Sequence, residues 1–286
     1  TIMIDKTGYE VTTYRIDGEY EDGRHPKSVE FSDRLVDDLC RRDFTINDMA
    51  YNDTDGFVDE FKGLDDLDAK IIRCVGEPEL RFTEDALRMM RAIRFSAQLG
   101  FTIDEATWNA IKKLSPSISK ISMERVHVEL GKTLMSAHPD YVAQYSEAGL
   151  FAPILPVIDN ALKSRYKRKI LATLQHTPDN IYLRYAALFI TSTPDEAAKT
   201  LRALKLDNKT VDTVSKLVEL SKMDIEETEP AVRTALNKYG RDFLPLWHEL
   251  MMAVIQASED TTGISNPAKV KHLLTLKRLA TDILAR

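Results

Sequence analysis

The chain has 286 residues, 43% hydrophobic and 29% charged, with a formal net charge of −6. That length and composition suit two or more compact units with a core of their own, and exclude a disordered or staple-dependent chain. No run of 18 apolar residues occurs and no basic-then-apolar leader opens the sequence, so membrane and secretory readings are set aside. Cys40 and Cys74 lack any C-x-x-C spacing, which argues against a thiolate metal site and fits a reducing, cytoplasmic setting.

The first residues, Thr1-Ile2-Met3-Ile4-Asp5 and Tyr9 to Ile16, read as two β-rich runs joined by a turn at Thr7-Gly8. Two strands alone are marginal in water, so this start reads as the middle of a sheet whose earlier strands precede the given sequence. Residues 17–30, including Asp22-Gly23-Arg24 and His25-Pro26, are polar and turn-rich and predict a mobile loop. From Ser32 the apolar spacing turns helical, through Leu35, Leu39, Ile46 and Met49, with short extended excursions at Phe57-Val58 and Ile71-Ile72. Thr83 is the predicted N-cap of a helix running to about Leu99, with Gly100 as its stop. Beyond Pro116 the text predicts helices punctuated by Pro153, Pro156, Pro178, Pro194, Pro230, Pro245 and Pro267, without further strands. The fold class is therefore α+β, mostly α: a small α/β head followed by a long all-helical body.

Charge is divided unevenly. Residues 1–64 hold 8 Lys+Arg against 16 Asp+Glu, a balance of −8, which leaves +2 of the total −6 for residues 65–286. In the latter part Lys163, Arg165, Lys167, Arg168 and Lys169 surround Tyr166, a strip able to contact phosphates or simply to be a solvated helix face.

Two polar clusters stand out from the apolar helical text: Arg41-Arg42-Asp43-Phe44-Thr45-Ile46-Asn47 and Glu84-Asp85-Ala86-Leu87-Arg88. Asp85, Arg88, Arg91 and Arg94 recur every three residues, which predicts an oblique ridge on one helix about 14 Å long, close to an extended nucleoside triphosphate. A carboxylate accepts from the exocyclic amine of cytosine or adenine, and a guanidinium donates to the neighbouring ring nitrogen or carbonyl; uracil and guanine present the opposite order. An Asp/Arg pair could therefore select C and A without a template. Glu84 and Arg88 also read as an ordinary i,i+4 pair, and that alternative stays open here.

With Tyr9-Glu10-Val11-Thr12-Thr13-Tyr14-Arg15, Asp22-Gly23-Arg24, Ile72 to Gly76, Arg81-Phe82 and Ser122-Met123-Glu124-Arg125-Val126, these clusters resemble the bacterial CCA-adding enzymes. These are tRNA nucleotidyltransferases of the class II superfamily that also contains bacterial poly(A) polymerases. The resemblance is specific to about residue 135 and looser beyond. It implies a partial nucleotidyltransferase head over residues 1–64, a helical neck with the nucleotide-binding helix over 65–135, a helical body over 136–210 and a tRNA-binding helical tail over 211–286. It further implies template-independent addition of C, C and A to tRNA from CTP and ATP with Mg²⁺. Poly(A) polymerase and a non-catalytic tRNA- or nucleotide-binding module are the competing readings.

Residue by residue, the resemblance implies Glu10 as a catalytic carboxylate near the metals, with the two aspartates of the family's D-x-D motif lying upstream of residue 1. Arg42, Asp85, Arg88, Arg91 and Arg94 are implied nucleotide-binding residues, with Asp43 and Asn47 organising the ribose and base pocket. Asp48 departs from the family pattern, in which alanine usually follows the asparagine. His176 has no partner at ligand spacing and reads as a structural or surface histidine. Lys269, Lys271, Lys277 and Arg278 resemble the family's tRNA-gripping tail. Oligomeric state is not legible, with a homodimer among the assemblies left open.

Overall fold

The computed structural model describes residues 1–18 and 27–285, which divide into two compact units. The first comprises Thr1–Ala92 and Phe101–Lys120, the second Ile93–Gly100 and Ile121–Arg286. Asp22-Gly23-Arg24 lies outside the described residues.

The first unit opens with a hairpin of β1 (Ile2–Ile4) and β2 (Thr7–Tyr9). Its turn is at Asp5-Lys6, both at positive φ (46° and 66°), and not at Thr7-Gly8, which pair within β2. Two left-handed residues match the twist of a two-residue hairpin, and aspartate is among the side chains that accept that conformation. β3 (Arg15–Asp17) pairs antiparallel with β4 (Val29–Phe31), and Gly18 N–H donates to the Ser28 carbonyl at 2.9 Å. The loop expected over 17–30 is thus shortened at both ends by strand pairing.

After the short helix α1 (Leu35–Leu39) and a 3-10 turn at Thr45–Asn47, the chain forms a second hairpin of β5 (Ala50–Asn52) and β6 (Gly56–Val58). Helical spacing over this stretch was misleading because the buried Leu39 and Ile46 belong to separate short elements. α2 (Gly63–Ala69) packs on the 3-10 turn, and a Cβ at Gly63 would collide with the Thr45 carbonyl oxygen. β7 (Ile71–Ile72) pairs in parallel with β8 (Thr102–Ile103), and Phe44 bridges Cys74.

The helix expected to start at Thr83 is two helices, α3 (Pro78–Glu84) and α4 (Leu87–Leu99). Thr83 lies inside α3, where its hydroxyl donates to the Glu79 carbonyl. The break falls at Asp85, whose backbone is extended (φ −146°, ψ 104°) and whose Oδ1 accepts the Leu87 N–H at 3.0 Å. An aspartate that caps the next helix has no reason to continue the last one. Gly100 ends α4 as expected, at φ +69°. α5 (Glu105–Leu114) is capped by Asp104 and packs on α3. Leu39, Phe44, Ile72, Phe82, Met89, Met90 and Ile111 are fully buried in this unit.

The second unit has helices and no strand among its described residues. α6 (Met123–Leu134), α7 (Ala143–Glu147), α8 (Pro156–Lys163), α9 (Lys167–His176) and α10 (Ile181–Leu188) are followed by α11 (Pro194–Ala203) and α12 (Asn208–Leu220). α13 (Glu229–Tyr239), α14 (Phe243–Thr262) and α15 (Pro267–Leu284) complete it. Pro156, Pro194, Pro230 and Pro267 sit at helix starts, where the missing N–H costs nothing; Pro245 also falls in a first turn, that of α14, and does not divide it. α14 packs on α9, α10 and α12, while Tyr145, Phe151, Tyr185 and Phe189 fill the interior. The Tyr145 hydroxyl pairs with Thr133 at 2.7 Å. His176 Nε2 lies 2.6 Å from Asp260 Oδ2, a two-residue contact and not a metal cluster.

Candidate nucleotide-binding site

The segment Arg41–Asn47 is held rigidly from behind. Thr45 N–H donates to the Arg73 carbonyl at 3.0 Å and Val75 N–H to the Asp43 carbonyl at 3.2 Å, an antiparallel bridge. The Thr45 hydroxyl donates to the buried Asp66, which also receives Arg73 Nε at 3.0 Å. Arg73 reaches on to Asp104, and Thr107, in the first turn capped by Asp104, takes the Cys74 N–H on its hydroxyl at 3.1 Å. A chain of charge-assisted bonds thus ties the motif to α2 and α5.

On this frame Asp43 is the hub. Its Oδ1 accepts the Phe44 N–H at 3.0 Å and the Asn47 amide at 3.4 Å, while Oδ2 takes both Nε and Nη2 of Arg91 at 2.6 Å. Arg88 donates to Glu84 at 2.7 Å and to the Arg41 carbonyl at 2.9 Å. Glu84 is shared with Arg81, at 2.6 Å, which itself donates to the Cys40 carbonyl. The α3–α4 junction is therefore clamped to the Arg41–Asn47 segment by guanidinium groups 41 to 48 residues away in sequence.

Arg42 donates to the Asn47 carbonyl at 3.1 Å and to Asp38 at 3.4 Å, with its Nε 3.7 Å from Asp48. Asp38 also takes Arg41 at 2.6 Å. Burial raises the Asp38 pKa, but its bonds to Arg41 and Arg42 outweigh that and hold it below the ordinary carboxylate value. Asp38 is not among the residues singled out from the sequence, and Arg73 and Arg81 stand there only as part of the family-like text, without a role. The i,i+3 and i,i+4 spacings of Asp38 to Arg41 and Arg42, and of Arg81 to Glu84, were available signals; for Arg73, and for the bond from Arg81 to the Cys40 carbonyl, only the fold supplies the partner.

The structure brings Arg42, Asp43, Asn47, Asp85, Arg88 and Arg91 together in the first unit. Of the arginines, Arg42 and Arg91 keep 41% and 33% of their side chains exposed, against 13% for Arg88. Asp85 precedes α4 instead of riding on it, so the helical ridge begins at Arg88. Arg94 belongs to the second unit, where it is buried against Glu129 at 2.6 Å and Gln98 at 2.6 Å. Glu10 is exposed, immediately after β2.

Residues 1–73 match the family model of the poly A polymerase head domain, and residues 100–162 that of a probable RNA and SrmB-binding site of polymerase A. The CCA-adding enzyme of Ligilactobacillus salivarius is 53% identical over 141 residues, 49% of this chain and 35% of that protein. That of Streptococcus suis is 36% identical over 284 residues, 96% of this chain and 67% of that protein. The crystal structure of the Bacillus stearothermophilus CCA-adding enzyme in complex with CTP superposes with a TM-score of 0.69 at 30% identity, covering 98% of this chain and 66% of that one. The chain belongs to the CCA-adding enzyme family. It spans about a third of the length of the first of these relatives and about two thirds of the other two.

The family implies a divalent metal; among the described residues no group of three or more His, Cys, Asp or Glu is placed to hold one. Glu10 alone does not make such a site. No helix among the described residues is long and apolar enough to cross a membrane. In the second unit the basic strip borders an open cavity of about 610 Å³, where Arg165, Lys167 and Arg168 face Asp140 and Asp260. Lys163 and Lys167 pair with Asp159 and Glu147, and Lys269, Lys271, Lys277 and Arg278 are exposed on α15.

Asp48 is the residue of this site whose chemistry is least ordinary. It is 0% exposed, and neither carboxylate oxygen has a hydrogen-bond partner among the described residues. Burial pushes its pKa up to about 7, with Arg42 opposing and Asp38, Asp43 and Asp59 adding to the rise. In the unfolded chain the group ionises near 3.8, so between these values the folded state binds the extra proton. Stability therefore falls as pH rises from about 4 to about 7 and levels off above, at about 1.4 kcal/mol for each pH unit between the two values. Asp48→Asn should remove that slope: relative to the parent it gains on the order of 4 kcal/mol between pH 4 and pH 8. Urea unfolding of both proteins at several pH values measures this, and parallel curves would exclude a raised Asp48 pKa.

Proposed function

We propose that this chain carries the nucleotide-selecting and RNA-holding parts of a tRNA nucleotidyltransferase that adds C, C and A to tRNA 3′ ends from CTP and ATP. The observation that carries the proposal is the convergence of Arg42, Asp43, Arg88 and Arg91 on one clamped segment in a chain of the CCA-adding family. The relative solved with CTP supports a pyrimidine triphosphate as one ligand. Arg42 and Arg91, the more exposed guanidiniums, suit phosphates; Asp85 and Arg88 at the start of α4 suit the base edge. The RNA 3′-hydroxyl would attack the α-phosphorus in line, forming the new P–O bond as the bond to the β-phosphate bridge breaks and pyrophosphate leaves. This chemistry needs positioning and charge neutralisation more than covalent participation. Arginines supply part of the neutralisation; Mg²⁺ is the ion proposed for the rest, with Glu10 as this chain's contributor to it.

Residues 1–64 would then be part of the head, 65–135 the neck, 136–210 the body and 211–286 a tRNA-binding tail. The cavity beside Arg165 and Arg168 and the exposed cations of α15 suit RNA phosphates. The match of residues 1–73 to a poly A polymerase head favours a second reading, open-ended A addition. A third reading is a module that binds tRNA or nucleotide without catalysis.

The deciding experiment offers each nucleotide, separately and in pairs, to a tRNA lacking its 3′ end. Two C and one A followed by arrest is the expected product. A ladder of A residues would replace this reading by poly(A) polymerase, and CTP binding without incorporation would make the chain a binding module.

A further inference from the structure

Asp48 faces Arg42, and the reaction reading gives Asp48 itself no role. Asp48 follows the 3-10 turn Thr45–Asn47, so its position is set by the same bridge that fixes Asp43. An ionised carboxylate with no hydrogen bond in a fully buried position is costly, and its neutral form is much less so. The cation facing it among the described residues is Arg42; the other charged groups around it, Asp38, Asp43 and Asp59, are acidic. Asp38 and Asp43 each have another cation close by, Arg41 and Arg91, at 2.6 Å. Among the described residues no second cation is paired with Asp48.

Arg42, for its part, is the most exposed of the four arginines predicted to bind nucleotide. Its Nη1 is committed to the Asn47 carbonyl and its Nη2 to Asp38, which leaves Nε directed at Asp48. An incoming phosphate therefore competes with acceptors of the chain itself. Two of those are fixed in charge or neutral at all relevant pH; the third, Asp48, is not.

We propose that Asp48 is a positioning residue for Arg42, and that the proton on its carboxyl decides how firmly that guanidinium is held inward and how strongly the site attracts a nucleoside triphosphate. With Asp48 protonated, Arg42 turns its full charge to the phosphates. With Asp48 ionised, the carboxylate both retains Nε and opposes the triphosphate charge. Affinity for CTP then falls as pH rises through neutrality. The affinity part of the proposal rests on the nucleotide-site reading above; the coupling of the two side chains does not.

The test uses the full chain and two readouts. Dissociation constants for CTP are measured between pH 6.0 and 8.5 for the parent and for Asp48→Asn, with Asp48→Ala as a second variant should the amide fold poorly. Taking the ratio of the two proteins at each pH cancels the titration of the CTP phosphates. The ratio of parent to variant should be near one at pH 6.0 and rise about three- to tenfold by pH 8.5, the range one charge several ångströms away produces at the effective dielectric of a protein surface. A ratio that stays constant overturns the affinity claim.

Unfolding of the parent, Asp48→Asn, Arg42→Ala and the double variant, at pH 6.0 and 8.5 without nucleotide, reads the pair directly. Asp48→Asn should shift the unfolding midpoint upward at pH 8.5 more in the Arg42→Ala background than in the parent, since the carboxylate has there lost its cation. Equal shifts in both backgrounds overturn the positioning role. If no form binds CTP, the nucleotide-site reading fails and the affinity claim with it, while the unfolding cycle still decides whether Asp48 positions Arg42.

Discussion

Replacing Arg94 by alanine is expected to destabilise the second unit by about 3–5 kcal/mol, the cost of leaving a buried charge without its partner. Arg94 and Glu129 have side chains only 7% and 4% exposed and meet at 2.6 Å. The guanidinium also donates to Gln98 and lies over the Phe95 ring, 3.6 Å from its centroid. Removing it leaves the buried Glu129 carboxylate of α6 without this partner. Glu129→Gln should be milder, because an amide can still accept from the guanidinium, and replacing both residues by apolar ones of similar volume should recover most of the loss. Chemical unfolding measures all three. A change below about 1 kcal/mol, the value of an exposed pair, would contradict this assignment.

The same variant bears on function. Arg94 is implied by resemblance to bind nucleotide, yet its charge is already spent within the second unit. CTP affinity measured where Arg94→Ala remains folded should match the parent within twofold. A large loss there would return Arg94 to the ligand.

Arg88→Ala is expected to abolish the preference for C and A over U and G. Loss of hydrogen bonds to a charged group weakens binding by about 1.5–3 kcal/mol, or roughly ten- to a hundredfold in CTP affinity. Arg88 has a structural duty as well, since it joins Glu84 to the Arg41 carbonyl. Arg88→Lys separates the two effects. A lysine keeps the charge and can still reach Glu84, so stability should largely return, but a single ammonium cannot present the two-pronged donor that reads a base edge. Discrimination between CTP and UTP is therefore expected to stay lost in the lysine variant. Unchanged discrimination in Arg88→Ala would remove Asp85 and Arg88 from the base-selecting role.

Local rules made much of this protein legible before its structure. Gly100 stops α4, prolines open α8, α11, α13 and α15, and Ile71-Ile72 is extended, because φ preferences and missing N–H groups act over a few residues. The two polar motifs were equally visible, since residue type and spacing alone mark them.

What failed were inferences that extended a local pattern too far. Asp85 was placed on a continuous helix because its three-residue spacing with Arg88 and Arg91 is helical; its side chain instead caps α4 and breaks the helix. The turn at Asp5-Lys6 was missed because glycine is the usual bearer of positive φ, and here two other residues adopt it.

The sequence by itself determined the family, the helical character and the identity of the clustered arginines and acids. Only the tertiary structure decided which of them meet. Asp43 finds Arg91 across 48 residues, Arg88 finds the Arg41 carbonyl across 47, and Arg94 finds Glu129 across 35. It also decided that Asp48 is buried without a hydrogen bond among the described residues while Arg42 stays partly open to solvent. Desolvation and pairing depend on what packs around a group from distant parts of the chain, and no local pattern carries that information.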